Sequence, residues 1–256
     1  MRIQRFQGND VAEKSPLEAR FAQWQAGINQ APDDARWSFW DCELQVAVGE
    51  YNRHLGDTPG YEPLDWQFIK AMIWVETGAA SPQWKTKPLQ IGVPGDPGLN
   101  SLLNGNEGGD LILVPEWKAR LTANAVTTIP EYNLRAGIGY LLMRLANFAY
   151  QSVIPPGATV GEVKVRPGDS LDHIARAQGS TTELMARLNP SVKTLKVGQP
   201  LKFEKASTQR VIVSWKTLNP QNAADLYNGG GDSNYARKLD YATNLVRQGK
   251  VAICPA

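Results

Sequence analysis

Glu76 is the residue of this 256-residue chain best suited by its surroundings to acid–base chemistry. It ends an apolar run in which Phe68, Ile69, Met72 and Ile73 recur at helical spacing, and Gly78 follows as a stop signal. A carboxyl group one turn beyond Met72 and Ile73 loses part of its hydration. Desolvation penalises the charged form, so its pKa rises and the group holds its proton closer to neutrality. Such an acid can protonate a leaving oxygen, which is the task of a glycosidase general acid. A two-carboxylate hydrolase needs a second acid across the cleft, and Asp96, Glu107 and Asp110 are the candidates, without a choice among them. The plain alternative is a solvated helix-terminal glutamate.

The chain around Glu76 reads mainly as helix. Leu17, Phe21 and Trp24 lie at helical spacing in 16–29, and Phe39, Cys42, Val46 and Tyr51 do so in 38–54. The helix carrying Glu76 starts after Pro63, with Asp65 near its N-terminus, and is apolar nearly all round, as a central helix is. Residues 79–114 are rich in Gly, Pro and Asn and read as a long loop over one end of a helical core. Helices resume over 115–124 and 133–150, and again near 221–227 and 233–248. Pro155-Pro156-Gly157 marks a boundary, and Thr208 to Trp215 suits a strand.

Four segments, in order, resemble the lytic transglycosylases of the soluble-transglycosylase and goose-type-lysozyme-like group. They are Glu76-Thr77, Lys87-Pro88-Leu89-Gln90-Ile91-Gly92, Asn133-Leu134-Arg135-Ala136-Gly137-Ile138-Gly139-Tyr140-Leu141 and Leu226-Tyr227-Asn228-Gly229-Gly230. The resemblance implies a lysozyme-like helical domain with Glu76 as general acid/base. It further implies that Gln90 and the backbone near Ile91 contact the sugar, and that Tyr227 with Asn228 orients Glu76 and the N-acetyl group. Thr77 stands where that family has serine and keeps the hydroxyl; Pro88-Leu89 and Asp225-Leu226 are further departures. The implied reaction is scission of the β-1,4 bond between N-acetylmuramic acid and N-acetylglucosamine, with attack by the muramoyl 6-hydroxyl or by water. Neither metal nor cofactor is implied.

A second, smaller unit lies between the third and fourth of these segments. Val163 and Val165 alternate as a strand, Pro167-Gly168-Asp169 supplies a turn, and Asp169 or Ser170 caps a helix bearing Leu171, Ile174 and Ala175. Thr181 or Thr182 caps another helix with Leu184, Met185 and Leu188, ending at Asn189-Pro190; Leu195, Val197, Leu201 and Phe203 return as a strand. So small a βααβ unit, with His173 as a helix-surface residue, suits binding rather than catalysis. It resembles a LysM domain, which implies binding of N-acetylglucosamine polymers through Gly168, Asp169, Ser170 and Leu171 and through the loop from Asn189 and Pro190 to Leu195. The expected architecture is α+β: a lysozyme-like domain over 1–157 and 207–256, split by a LysM insertion at 160–206.

Composition bounds the rest. The charge of +2 and absence of a basic run leave no footing for nucleic acid. No stretch is long and apolar enough for a membrane span, and the N-terminus lacks the apolar region of a signal peptide. The expectation is a chain made in the cytoplasm that acts in the periplasm or cell wall. Delivery as an antibacterial type VI secretion effector, with a secretion-apparatus component and a cognate immunity protein as partners, is favoured over a phage lysin. A non-catalytic wall binder and a structural tail component are the readings from other classes. Cys42 and Cys254 are taken as two buried free thiols, with one bridge as the alternative.

Overall fold

The computed structural model describes residues 15–249, 252 and 254. The fold is mixed α+β, as expected, and divides into two compact units. One runs to Leu145 and resumes at Lys216; the other is Ala146–Trp215.

The larger unit begins with α1 (Pro16–Ile28), capped by the Ser15 hydroxyl, and α2 (Asp41–Leu55). Helix α3 (Trp66–Glu76) starts where the Asp65 carboxylate accepts the Gln67 amide at 2.9 Å. Its residues Phe68 to Trp74 are all buried, so it is central, and the apolar run is the physical reason. Within that run Lys70 is buried too, 2.8 Å from the buried Asp41 of α2, with the Ser38 hydroxyl at 3.1 Å. A charge that deep persists only when paired, which fixes α2 against α3. Gly78, at φ +68°, donates back to the Ile73 carbonyl at 3.2 Å and ends α3; a Cβ there would approach the Trp37 ring to 3.1 Å.

The stretch expected as a loop contains α4 (Gly98–Leu103) and α5 (Gly109–Ile112), because Leu99, Leu102 and Ile112 bury themselves in single helical turns. The helix expected over 115–124 is broken into α6 (Pro115–Lys118) and α7 (Ala123–Thr128). Thr122, whose hydroxyl accepts the Ala125 amide at 3.2 Å, starts a new helix there. Helix α8 (Pro130–Leu145) is buried along most of its length. It ends before the expected Tyr150, since Ala146 onward pairs with a distant strand. Of the apolar residues noted at helical spacing, Phe39 and Val46 are each 52% exposed and Leu17 is 40% exposed.

The smaller unit opens with β1 (Ala146–Val153), continues through β2 (Gly161–Lys164), α9 (Leu171–Ala177), α10 (Thr182–Leu188) and β3 (Pro200–Phe203), and closes with β4 (Ser207–Trp215). Strands β1 and β4 form an antiparallel ribbon from Ala146 opposite Trp215 to Val153 opposite Ser207. Strands β2 and β3 pair antiparallel over a core of Val165, Ile174, Ala175, Met185 and Leu201. Ser170 rather than Asp169 caps α9, accepting the His173 amide at 3.1 Å, and Thr181 rather than Thr182 caps α10. Val197 lies outside β3, 68% exposed, in the turn at Gly198. Ser152 ties the ribbon to the α10 cap through Thr181 at 2.6 Å.

The chain re-enters the larger unit where it left it: the Lys216 amide donates to the Leu145 carbonyl at 2.8 Å. Helix α11 (Pro220–Ala223) runs into a wide turn over Ala224–Asn228, and α12 (Tyr235–Gln248) follows. Tyr235, Leu239, Ala242, Thr243 and Val246 form its buried face. That face packs antiparallel to α3, with Tyr235 beside Glu76 and Arg247 beside Asp65. Cys42 and Cys254 form a disulfide, with Cα atoms 5.3 Å apart, which corrects the reading as free thiols. Their separation of 212 residues hid the pairing from the sequence.

Candidate functional site

The C-terminal end of α3 opens into a pocket of 220 Å³ lined by Glu76, Leu89, Gln90, Ile91, Val93, Asp96, Tyr140, Tyr227 and Asn228. It brings together residues from all four segments singled out in the sequence, Tyr140 being the one from the third. Glu76 is half-buried, and burial pushes its carboxyl up to about 7. The Tyr235 hydroxyl donates to Glu76 Oε1 at 2.7 Å and pulls the other way, while the charges of Asp232 and Asp96 raise it further.

Tyr227 does not hold Glu76, contrary to the expectation. Its hydroxyl donates to the Leu89 carbonyl at 2.6 Å, and its ring meets that of Tyr140 edge-on. Tyr235 has the orienting position instead; it is buried, and burial followed by the Glu76 charge holds its hydroxyl well above the usual tyrosine range. It stays a donor. Nothing in the sequence marked it, because its role comes from the antiparallel packing of α12 on α3. Asn228 accepts the Asp232 amide through Oδ1 at 2.9 Å and closes the loop toward α12. Asp232 itself is raised by burial but brought below the usual range by hydrogen bonds from Lys238 and the Asn234 amide.

The segment facing Glu76 is held by α8. Asn133, fully buried, accepts the Leu89 amide at 3.1 Å and donates to the Ile91 carbonyl at 2.9 Å. Gly137 lies one turn on, on the same face; a Cβ there would come within 2.6 Å of Leu89 and 3.0 Å of the Tyr227 hydroxyl. The spacing of Asn133 and Gly137 therefore lets α8 approach and bind this backbone. Gln90, between Leu89 and Ile91, has φ +56°, an unusual conformation for a residue with a Cβ and the only such one among the described residues. Its side chain donates to the Lys87 carbonyl at 3.0 Å.

Thr77 lies behind the pocket, its hydroxyl bonded to the Ile73 and Pro88 carbonyls at 3.1 and 3.2 Å. It joins α3 to the facing segment and does not line the pocket. Of the three further carboxylates, Asp96 alone lines the pocket, where it accepts the Gly92 and Gly98 amides at 2.9 and 2.7 Å. Glu107 is engaged by Ser101 and Arg144, and Asp110 lies in α5; neither lines it. No cluster able to hold a metal occurs among the described residues.

The smaller unit has its own groove, 280 Å³, between α10 and the loop that follows it. Leu171, Asn189, Pro190 and Leu195 line it, together with Met185 and Leu201. Gly168, Asp169 and Ser170 do not; they build the turn before α9, where Asp169 accepts the Arg166 amide at 2.7 Å. Asp169 also meets His173 Nδ1 at 3.2 Å on the exposed face of α9. Asn189 spends its side chain on Met185 and on both backbone groups of Lys202, so it shapes the groove rather than offering a free amide. The backbone of 190–195 remains as polar lining over an apolar floor, a surface suited to an acetamido sugar.

No curated protein and no solved structure matches the chain. The family model for the LysM domain matches residues 163–203. With its βααβ order, its small apolar core and its groove, this segment is a LysM domain, a glycan-binding module.

Proposed function

We propose that the protein is a peptidoglycan-cleaving glycosidase that acts on the β-1,4 bond between N-acetylmuramic acid and N-acetylglucosamine. The observation carrying the reading is Glu76, half-buried at a pocket wall, oriented by Tyr235 and titrating at about 7. A carboxyl group with that pKa is a proton donor and acceptor of nearly matched strength at neutral pH. Glu76 protonates the leaving oxygen, the substrate acetamido oxygen stabilises the developing cation, and Glu76 then takes the proton of the attacking hydroxyl. Attack by the muramoyl 6-hydroxyl makes the enzyme a lytic transglycosylase with a 1,6-anhydro product.

The LysM domain supports this substrate, because it directs the chain to the polymer that the reaction consumes. On this reading the protein acts in the periplasm or wall. The reading extends to an antibacterial effector delivered by a type VI apparatus and countered by an immunity protein; the insertion of the LysM domain, unlike a wall-binding module at one end, favours it over a phage lysin. Asp96 favours a second outcome, a hydrolytic muramidase in which water takes the place of the 6-hydroxyl.

Mass spectrometry of soluble products from purified sacculi tests the proposal. Anhydro-muropeptides with wild type and none with Glu76→Gln are the expected result; reducing-end products would select the muramidase. Sacculus binding without products from either protein would leave a wall-binding protein and end the catalytic reading.

A further inference from the structure

The larger unit carries a second pocket, of 480 Å³, lined by Glu50, Arg53, His54, Val114, Pro115, Glu116 and Trp117, none of which lines the Glu76 pocket. Its charges are not equivalent. Glu50 is committed: Arg135 of α8, itself buried, holds it through Nε at 2.8 Å and Nη2 at 2.9 Å, and the Trp117 indole N–H donates to it at 2.9 Å. Arg135 also lies over the Trp117 ring, 4.1 Å from its centre. His54 Nε2 is 3.2 Å from the Leu111 carbonyl, which only accepts, so that nitrogen carries the proton. Arg53 and Glu116 are exposed, and neither has an ion-pair partner among the described residues.

The pocket therefore offers one uncommitted cation, Arg53, and one uncommitted anion, Glu116, above an apolar floor of Val114 and Pro115. A simple anion would meet Glu116 and Glu50, and a simple cation would meet Arg53. A neutral sugar would desolvate both charges without pairing either. A ligand with a carboxylate and an ammonium on an aliphatic body pairs both and covers the floor. We propose that this pocket binds a zwitterionic peptide and, resting on the function proposed above, that its ligand is the peptide stem of peptidoglycan. Stems carry carboxylates and, where uncrosslinked, a free side-chain amine. The glycan strand and its peptide would then be recognised at separate places on one unit.

The test is a titration of the full protein with the tripeptide L-alanyl-γ-D-glutamyl-meso-diaminopimelate, following the Trp117 indole N–H by NMR, with Trp117→Phe assigning the signal. The same tripeptide with acetylated amines and amidated carboxylates is the control. A saturable shift with the free tripeptide is expected, absent with the capped one and weakened roughly ten- to a hundredfold in Arg53→Ala and in Glu116→Gln, as for lost charge-assisted bonds. No shift, an equal shift with the capped peptide, or undiminished binding in both variants would overturn the proposal. Because the readout is binding, it stands apart from the product analysis: sacculi left uncleaved with the tripeptide still bound would remove the glycosidase and keep the peptide site.

Discussion

Glu76 links stability to pH in a direction opposite to that of a paired surface carboxylate. Its carboxyl rises from 4.5 to about 7 on folding, so between those values the native state binds more protons than the unfolded chain. Stability falls as pH climbs through that window, and the full penalty is present above it. Glu76→Gln is thus expected to stabilise the protein at pH 8 by on the order of 2 kcal/mol and to leave it nearly unchanged at pH 4, as denaturant curves at the two pH values will show. An equal gain at both would assign the effect to packing instead. Tyr235 tunes the same group in the opposite sense, since its hydrogen bond favours the carboxylate. Tyr235→Phe should move the alkaline limb of the pH–rate profile upward by about one unit and lower the maximum rate about tenfold or more. A lower rate with an unmoved limb would make the tyrosine merely structural.

Helix α8 does for the pocket what no loop could do alone. Asn133 pairs the Leu89 amide and the Ile91 carbonyl, and Gly137 leaves space for the Leu89 side chain and the Tyr227 hydroxyl to come close. Gly137→Ala should cost about 1–3 kcal/mol and, by displacing Leu89 and Tyr227, lose activity well beyond that expected from the unfolded fraction. Gly139 gives the comparison: a Cβ there presses on the Tyr51 hydroxyl at 2.6 Å, among residues that do not line the pocket. Thermal unfolding beside kcat/KM on short soluble fragments separates the two. Matching activity losses at Gly137 and Gly139 would remove the pocket from the explanation. At the same scale, the sequence pattern identified α3 and its stop at Gly78, since six of its seven consecutive buried residues are apolar, the exception being Lys70 paired with Asp41. It overran α8 because Asn147, Phe148 and Tyr150 suit helix or strand, and only β4 supplies the ladder that decides.

Across the whole molecule, two covalent arrangements set what the chain can do. The LysM domain is inserted, and its ribbon is paired to the tips, Val153 opposite Ser207. Replacing residues 154–206 by Asn-Gly should close β1 and β4 into a hairpin and leave the larger unit folded. That variant is expected to lose activity on whole sacculi much more than on short soluble fragments, because local concentration on the polymer is what a tethered binder contributes. Equal losses on both substrates would show that the module supports folding, not capture. The Cys42–Cys254 disulfide joins α2 to the C-terminal segment across 212 residues. By chain-entropy reasoning a crosslink of that span contributes up to about 5 kcal/mol. Urea unfolding with and without reductant, repeated on Cys42→Ser, will measure it; identical midpoints would mean that the bridge contributes nothing.

The sequence alone determined what depends on neighbours along the chain. Apolar periodicity placed the central helix and its terminal Glu76, and the consecutive residues 163–203 spelled out the LysM domain because each of its caps, turns and strands has a local signature. It also pointed to the segments around Gln90, Asn133 and Tyr227, though not to what each side chain holds. Tertiary structure decided the rest. It chose Asp96 over Glu107 and Asp110 as the carboxylate beside Glu76, gave Tyr235 the contact expected of Tyr227, buried Lys70 against Asp41, and bonded Cys42 to Cys254. Each of these pairs residues far apart in sequence, where no periodicity relates the partners and only packing brings them within a hydrogen bond or a covalent bond of one another.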